Sequence, residues 1–246
     1  MTQMSPEQVM QHRIEKLGEE GGRYFRNLEN QLYFARDNWK CYVGLFGTNN
    51  DRVDLMNSLS GGTAFLIERA MKDSALLSIC RMTDPECGKK KGKCEINTTI
   101  KRLTGYQKNG DKEGLEKLIK DAVDKSNFAR VYRNKVLSHS DEETQNKKAR
   151  LDTGSRKMIR ESFDSIASCI KRFAEEEMSI TLITHPLRNA DDEVNLLQAL
   201  FVGRGENERR EAELRDIRVN KGWQAAKDLY PLPDWLTHRA EREFDV

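Results

Sequence analysis

Apolar residues along this chain recur three and four positions apart, and strict alternation persists nowhere, which confines it to a helical fold. The clearest run is Tyr24, Phe25, Leu28, Leu32, Tyr33, Trp39, Tyr42, Val43 and Phe46, closed by Gly47. Leu66, Ile67, Met71, Leu76, Ile79 and Cys80 give a buried stripe within a predicted helical stretch over 52–82. Leu115, Leu118, Ile119, Ala122, Val123, Phe128, Val131, Tyr132 and Val136 mark a third stretch, with a joint near Ser126-Asn127. Met158, Ile159, Phe163, Ile166, Ala167, Ile170 and Phe173 mark a fourth. Each stripe occupies one side of a helix and leaves the other wet, so the pattern predicts an all-α bundle with little or no sheet.

The breaks divide the chain. Ser5-Pro6-Glu7 reads as an N-cap and first turn of a short helix that stops at Gly18, and Gly21-Gly22 reads as punctuation before the next. Gly61-Gly62 predicts an interruption in the second stretch, and Pro85 ends it, because the residue before a proline avoids the helical region. Residues 86–93 then read as an exposed lysine loop, 97–103 as a short helix and 140–154 as a mobile loop. After Met178 the texture changes: an extended piece at 181–186, a helix over 191–202, a highly charged run over 204–218, and an aromatic-proline cluster with Trp223, Tyr230 and Trp235. That cluster is expected to dock on the helical body or on another protein. The expected division is an N-terminal arm at 1–20, a helical domain at 21–180 and a mainly helical, partly irregular C-terminal extension at 181–246.

Composition narrows the partners. With 37% apolar and 33% charged residues, the helices must each keep a solvated face. Forty-two Lys and Arg against forty Asp and Glu leave a net charge of +2, too small for a whole-protein trap for nucleic acid. Contact with RNA therefore falls to local patches: Lys89, Lys90, Lys91 and Lys93, and a second at Lys147, Lys148 and Arg150. No apolar run is long enough to span a bilayer and the first residues carry no signal pattern, so a cytoplasmic protein is expected. Five cysteines read as free thiols in a reducing compartment, with Cys41, Cys80 and Cys169 as small core residues. Cys87 and Cys94 have no second ligand pair nearby, so neither a metal site nor a cofactor is expected. His12, His185 and His238 read as surface residues.

The chemistry concentrates between Val131 and Asp141. Arg133 offers a permanently charged fork that fits phosphate oxygens, Asn134 an orienting group that does not titrate, and His139 a proton carrier near neutrality. In a regular helix Arg133 and His139 would stand roughly 9 Å apart along the axis and about 120° apart around it. Helical side chains lean toward the N-terminus, which carries Arg133 further from His139. A compact site then requires a broken turn near Ser138 or a second copy of the motif. Upstream, Arg81 reads as a C-terminal arginine favourable to its helix dipole, and Asp84-Pro85 as a turn.

Arg133-Asn134-x4-His139 resembles the signature of the HEPN superfamily of helical nucleases. The segment ending Arg81-Met82-Thr83-Asp84-Pro85 resembles the R-x-T-D-P helix ending of its AbiU branch, known from phage-abortive systems. The resemblance spans roughly 24–173. It implies a HEPN-like bundle, a homodimer with two motifs lining one cleft, and metal-independent RNA cleavage by the 2′-hydroxyl. In that reaction His139 is the general acid or base, Arg133 neutralises phosphate charge and Asn134 orients. Arg81 and Asp84 would shape the cleft beside the Arg133 helix, Lys89, Lys90, Lys91 and Lys93 would hold RNA, and an antitoxin or other regulatory protein is a further expected partner. The competing expectation is an inert helical dimer that binds RNA or a protein through the same cleft.

Overall fold

Ser5 opens the first helix: its Oγ accepts from Gln8 N–H at 3.3 Å while Gln8 Oε1 accepts from Ser5 N–H at 2.8 Å. The computed structural model describes residues 5–90, 93–137, 154–185, 192–227, 229–231 and 236. Segment α1 (Pro6–Tyr42) is two helices that meet at Gly18, where the first stops as its sequence predicts. That glycine, at φ 79°, takes a conformation that only glycine adopts cheaply, and the second helix runs on from it to Tyr42. The punctuation falls at Gly18 and not at Gly21-Gly22; both of these are buried in the second helix of α1, where a Cβ on Gly21 would lie 2.8 Å from Tyr106 Cδ1. Their sequence signal was close packing, not a turn. A π-helical turn (Val43–Gly47) closes the segment.

Helix α2 (Asn50–Thr83) is capped by Asn49, whose Oδ1 accepts from Arg52 N–H at 3.0 Å. It breaks at Ser60, one residue before Gly61-Gly62, and ends with Asp84 extended ahead of Pro85. Leu76, Ile79 and Cys80 are buried as their spacing predicts, but Leu66 and Ile67 are 65% and 39% exposed. The inward line past the kink runs through Ala64, and Leu66 lies about 200° round the helix from it.

The lysine loop is a hairpin. Strands β1 (Cys87–Lys90) and β2 (Lys93–Ile96) pair antiparallel with Cys87 opposite Ile96, and Cys87 is disulfide-bonded to Cys94. Neither cysteine is therefore a free thiol, and residues 86–93 are not wholly loop. Backbone pairing alone makes such a ribbon, so no hydrophobic alternation announced it. The expected helix at 97–103 is shorter and later: a 3₁₀ turn (Ile100–Arg102) leads into α3 (Leu103–Tyr106).

Helix α4 (Lys112–Lys125) follows an Asp111 cap, and the expected joint falls at Ser126, before α5 (Asn127–Tyr132). A second π-helical turn (Arg133–Leu137) extends α5. Helix α6 (Arg156–Met178) carries Ile159, Phe163, Ile166, Ala167, Ile170 and Phe173 into the core as predicted. The core gathers these with Phe25, Leu28 and Leu32 of α1, Leu76 and Ile79 of α2, and Leu115 and Ile119 of α4. Phe25 and Phe173 stack at 5.6 Å.

Helix α7 (Asp192–Lys221) absorbs the charged run expected to follow a shorter helix. Glu206 ties Arg209 and Arg210 at 2.8 and 2.7 Å, three and four residues on, the spacing at which side chains meet on one helix face. Leu197 joins α7 to a small second cluster with Leu45, Leu55, Met56 and Ala64. Helix α8 (Trp223–Lys227) and Tyr230 fold back on α7 rather than on the bundle: Arg218 lies over the Trp223 ring and Tyr230 Oη donates to Glu213 at 2.5 Å. Two histidines read as surface residues are engaged, His12 at 3.1 Å from Met178 O and His185 at 3.3 Å from Arg36 Nη1. Residues 140–153 of the loop expected at 140–154, with Lys147, Lys148 and Arg150, and also Trp235 and His238, lie outside the described residues. Among the described residues no helix is long and apolar enough to cross a membrane. The chain is an all-α bundle.

Candidate functional site

The end of α2 is fixed before it meets anything else. Thr83 Oγ1 donates to Ile79 O at 2.8 Å, and Thr99 Oγ1 lies 3.0 Å from Met82 O and 2.8 Å from Asp84 O. Both threonines are fully buried, so the turn at Asp84 is held by satisfied groups in a dry setting.

Onto this turn α5 and its π-helical extension lay two arginines. Arg133 Nη1 donates to both carboxylate oxygens of Asp84, at 3.1 and 2.8 Å. Arg130, three residues earlier and so on the same side of the helix, brings Nε to 3.7 Å from Asp84 Oδ1 and donates through Nη2 to Thr83 O and Oγ1, both at 3.1 Å. Arg133 Nε in turn donates to Asn134 Oδ1 at 3.2 Å. Two guanidiniums face one carboxylate, which leaves an excess positive charge at a half-buried position, where water screens it less than on an open surface.

The neighbours are inert by comparison. Burial pushes the Cys80 thiol up to about 11, although Arg133 and Arg130 pull it down, so it is no nucleophile at neutral pH. Tyr132 turns away to donate to Asp73 Oδ1 at 3.1 Å, and burial raises its phenol.

The structure thus gathers Arg133, Asn134 and Asp84 and leaves Arg81 exposed, outside that cluster. Lys89, Lys90 and Lys93 lie on the hairpin that starts three residues after Asp84; Lys91 falls outside the described residues. His139 also lies outside them, two positions beyond the π-helical turn. From Arg133 to Leu137 that turn is π-helical and wider than a regular helix. Arg130 and Thr99 are the members that sequence reasoning missed. Arg130 had a signal in its spacing from Arg133; Thr99 had none. Among the described residues no three His, Cys, Asp or Glu side chains converge to hold a metal ion.

A family model described as AbiU2, of HEPN type, matches residues 19–195. No curated protein and no solved structure gives a significant match. The matched span covers more than two-thirds of the chain and takes in α2, the Asp84 turn and the Arg133 segment, all within a helical bundle; the chain belongs to the AbiU2 family of HEPN proteins.

Proposed function

We propose that this protein is a metal-independent endoribonuclease acting in the cytoplasm in phage defence or as a toxin. The observation that carries the reading is the Asp84 clamp on Arg133, which presents a guanidinium and the Asn134 amide at the start of the segment that leads to His139. A guanidinium held by a carboxylate has lost its rotamer freedom before substrate arrives, and its remaining donors are placed for a phosphate oxygen.

In the proposed reaction the 2′-hydroxyl gives its proton to a general base and its oxygen bonds to the adjacent phosphorus. The P–O5′ bond breaks as a general acid protonates the leaving oxygen, which leaves a cyclic phosphate and a free 5′-hydroxyl. Arg133 neutralises charge on the non-bridging oxygens, and His139 transfers protons. Two copies pairing with both motifs on one cleft would supply two imidazoles, one for each proton. Arg81 and the hairpin lysines would hold flanking phosphates, and an antitoxin or other regulator would restrain the activity.

The test is incubation of total RNA with purified protein in EDTA, beside His139→Ala and Arg133→Ala. Cleavage that persists in chelator and disappears in both variants, with sedimentation unchanged, supports the reading. Full activity in His139→Ala, or no cleavage by the unaltered protein, overturns it.

A further inference from the structure

A cavity of about 620 Å³ lies away from the Asp84 turn, where the end of α1, the first π-helical turn and the first turns of α2, α6 and α7 meet. Asn38 Nδ2 donates to Met71 O at 2.7 Å, which places the end of α1 beside the middle of α2. Asp84 is thirteen residues further along α2, or about 20 Å. The volume is in the range of small-molecule sites.

Its lining is chemically uneven. Lys40, Arg52, Arg156 and Arg160 are cationic, and Arg156 and Arg160, one turn apart on α6, have no acidic partner among the described residues. Trp39 lines the same space and stacks on Tyr42 at 4.9 Å, so its indole is held as a platform. The carboxylate in the lining is Glu193. Its side chain is nine-tenths buried, and Oε2 is fully buried with no hydrogen-bond donor among the described residues; Lys40 Nζ lies 3.9 Å from it. Gly44 makes room for it, since a Cβ there would collide with Glu193 Cγ.

A buried acceptor without a donor is costly, and unpaired guanidiniums on one helix face repel one another. Both are relieved by one ligand that carries N–H donors on a flat ring and an anion at the other end. Among RNA bases guanine alone offers two adjacent N–H donors, N1 and N2, on its Watson–Crick edge, the pattern a carboxylate accepts. An aromatic platform takes the ring face, and arginine forks take phosphate. We propose that this cavity binds a guanine nucleotide, with the base on Trp39 and Glu193 and the phosphate on Arg156 and Arg160. The same chemistry arises from a free mononucleotide or from a guanosine at an RNA 5′ end.

Calorimetric titration of the full chain carrying His139→Ala, which removes the proposed proton carrier, tests the proposal with GMP, AMP and a 5′-phosphorylated, 2′-O-methylated oligonucleotide beginning in guanosine. GMP is expected to bind at least tenfold more tightly than AMP. Arg156→Ala with Arg160→Ala should weaken GMP by about tenfold or more, the scale of losing a charged hydrogen bond, without loss of helicity by circular dichroism. Glu193→Gln should abolish the preference for guanine while AMP binding stays unchanged. An oligonucleotide that binds tenfold more tightly than GMP and is displaced by it identifies RNA as the source; equal or weaker binding identifies the free nucleotide. Equal affinity for GMP and AMP, no binding at millimolar GMP, or affinity unmoved by the arginine and glutamate variants overturns the proposal.

Discussion

Asp84 and Arg133, forty-nine residues apart in sequence, form a two-oxygen ion pair at 3.1 and 2.8 Å that ties the end of α2 to the first residue of the second π-helical turn. The pair joins the Arg81–Pro85 segment to the start of the Arg133 segment. Its side chains are about one-fifth to one-quarter exposed, so the pair is partly screened, and its main effect is positional rather than stabilising.

Under the proposed ribonuclease function, Asp84→Asn should therefore lower RNA cleavage by roughly 10- to 100-fold, the scale of a small misplacement of a reacting group, with little change in melting temperature. The turn itself survives, because Thr99 binds the Asp84 carbonyl and not its carboxylate. Single-turnover rates beside thermal melts check this. A large drop in melting temperature with an unchanged rate would make the pair structural.

Glu29 and Arg13 form a buried pair at 2.5 Å in α1. Glu29→Leu should destabilise the protein by about 3–5 kcal/mol by stranding the Arg13 charge, whereas Arg13→Met with Glu29→Leu should be near neutral. Burial pushes the Glu29 carboxyl up, more than Arg13 and Tyr33 pull it down. The folded state then holds this proton more tightly than the unfolded chain. Its stabilising contribution is fully present below the unfolded carboxyl value and falls as pH rises through the folded one. Urea titrations of the single and double variants from acid to neutral pH measure both effects.

Gly22→Ala should cost stability despite the better helix propensity of alanine. A Cβ at Gly22 meets backbone atoms across the Gly18 kink, Ile14 N at 3.1 Å and Arg13 C at 3.2 Å, and these cannot rotate away. Overpacking of about 1–3 kcal/mol opposes a propensity gain of about 1 kcal/mol, so we expect a net loss near the lower figure. Denaturant midpoints decide the sign.

Native alkylation at pH 8 should modify Cys41 alone. Cys80 and Cys169 are buried, with thiols pushed up to about 11 and about 12 by burial, and should react only on unfolding. Cys87 and Cys94 should add two labels only after reduction. Counting adducts by intact mass in the three conditions tests all five positions.

The helical stretches through Leu28, Ile79, Ile119 and Phe163, the joint at Ser126 and the stop before Pro85 were legible in sequence, because each follows from local periodicity or a local steric rule. Arg133 and Asn134 became candidates because the run through them resembles a family signature; their local spacing alone reads equally as a solvated helix end. What sequence could not decide is which neighbour each residue meets. Leu66 lost its place in the core when the break at Ser60 left Ala64 on the inward line. Gly21 and Gly22 looked like a turn because a glycine pair serves either a turn or a close contact, and only Tyr106 and the Gly18 kink show which. The hairpin at Cys87–Ile96, the grip of Asp84 on Arg133, the support from Arg130 and Thr99, and the approach of Glu193 to Gly44 all depend on pairing between distant segments. Periodicity along a helix fixes which face is apolar; the angle at which that face meets the next helix is fixed by packing, and the site is a product of those angles.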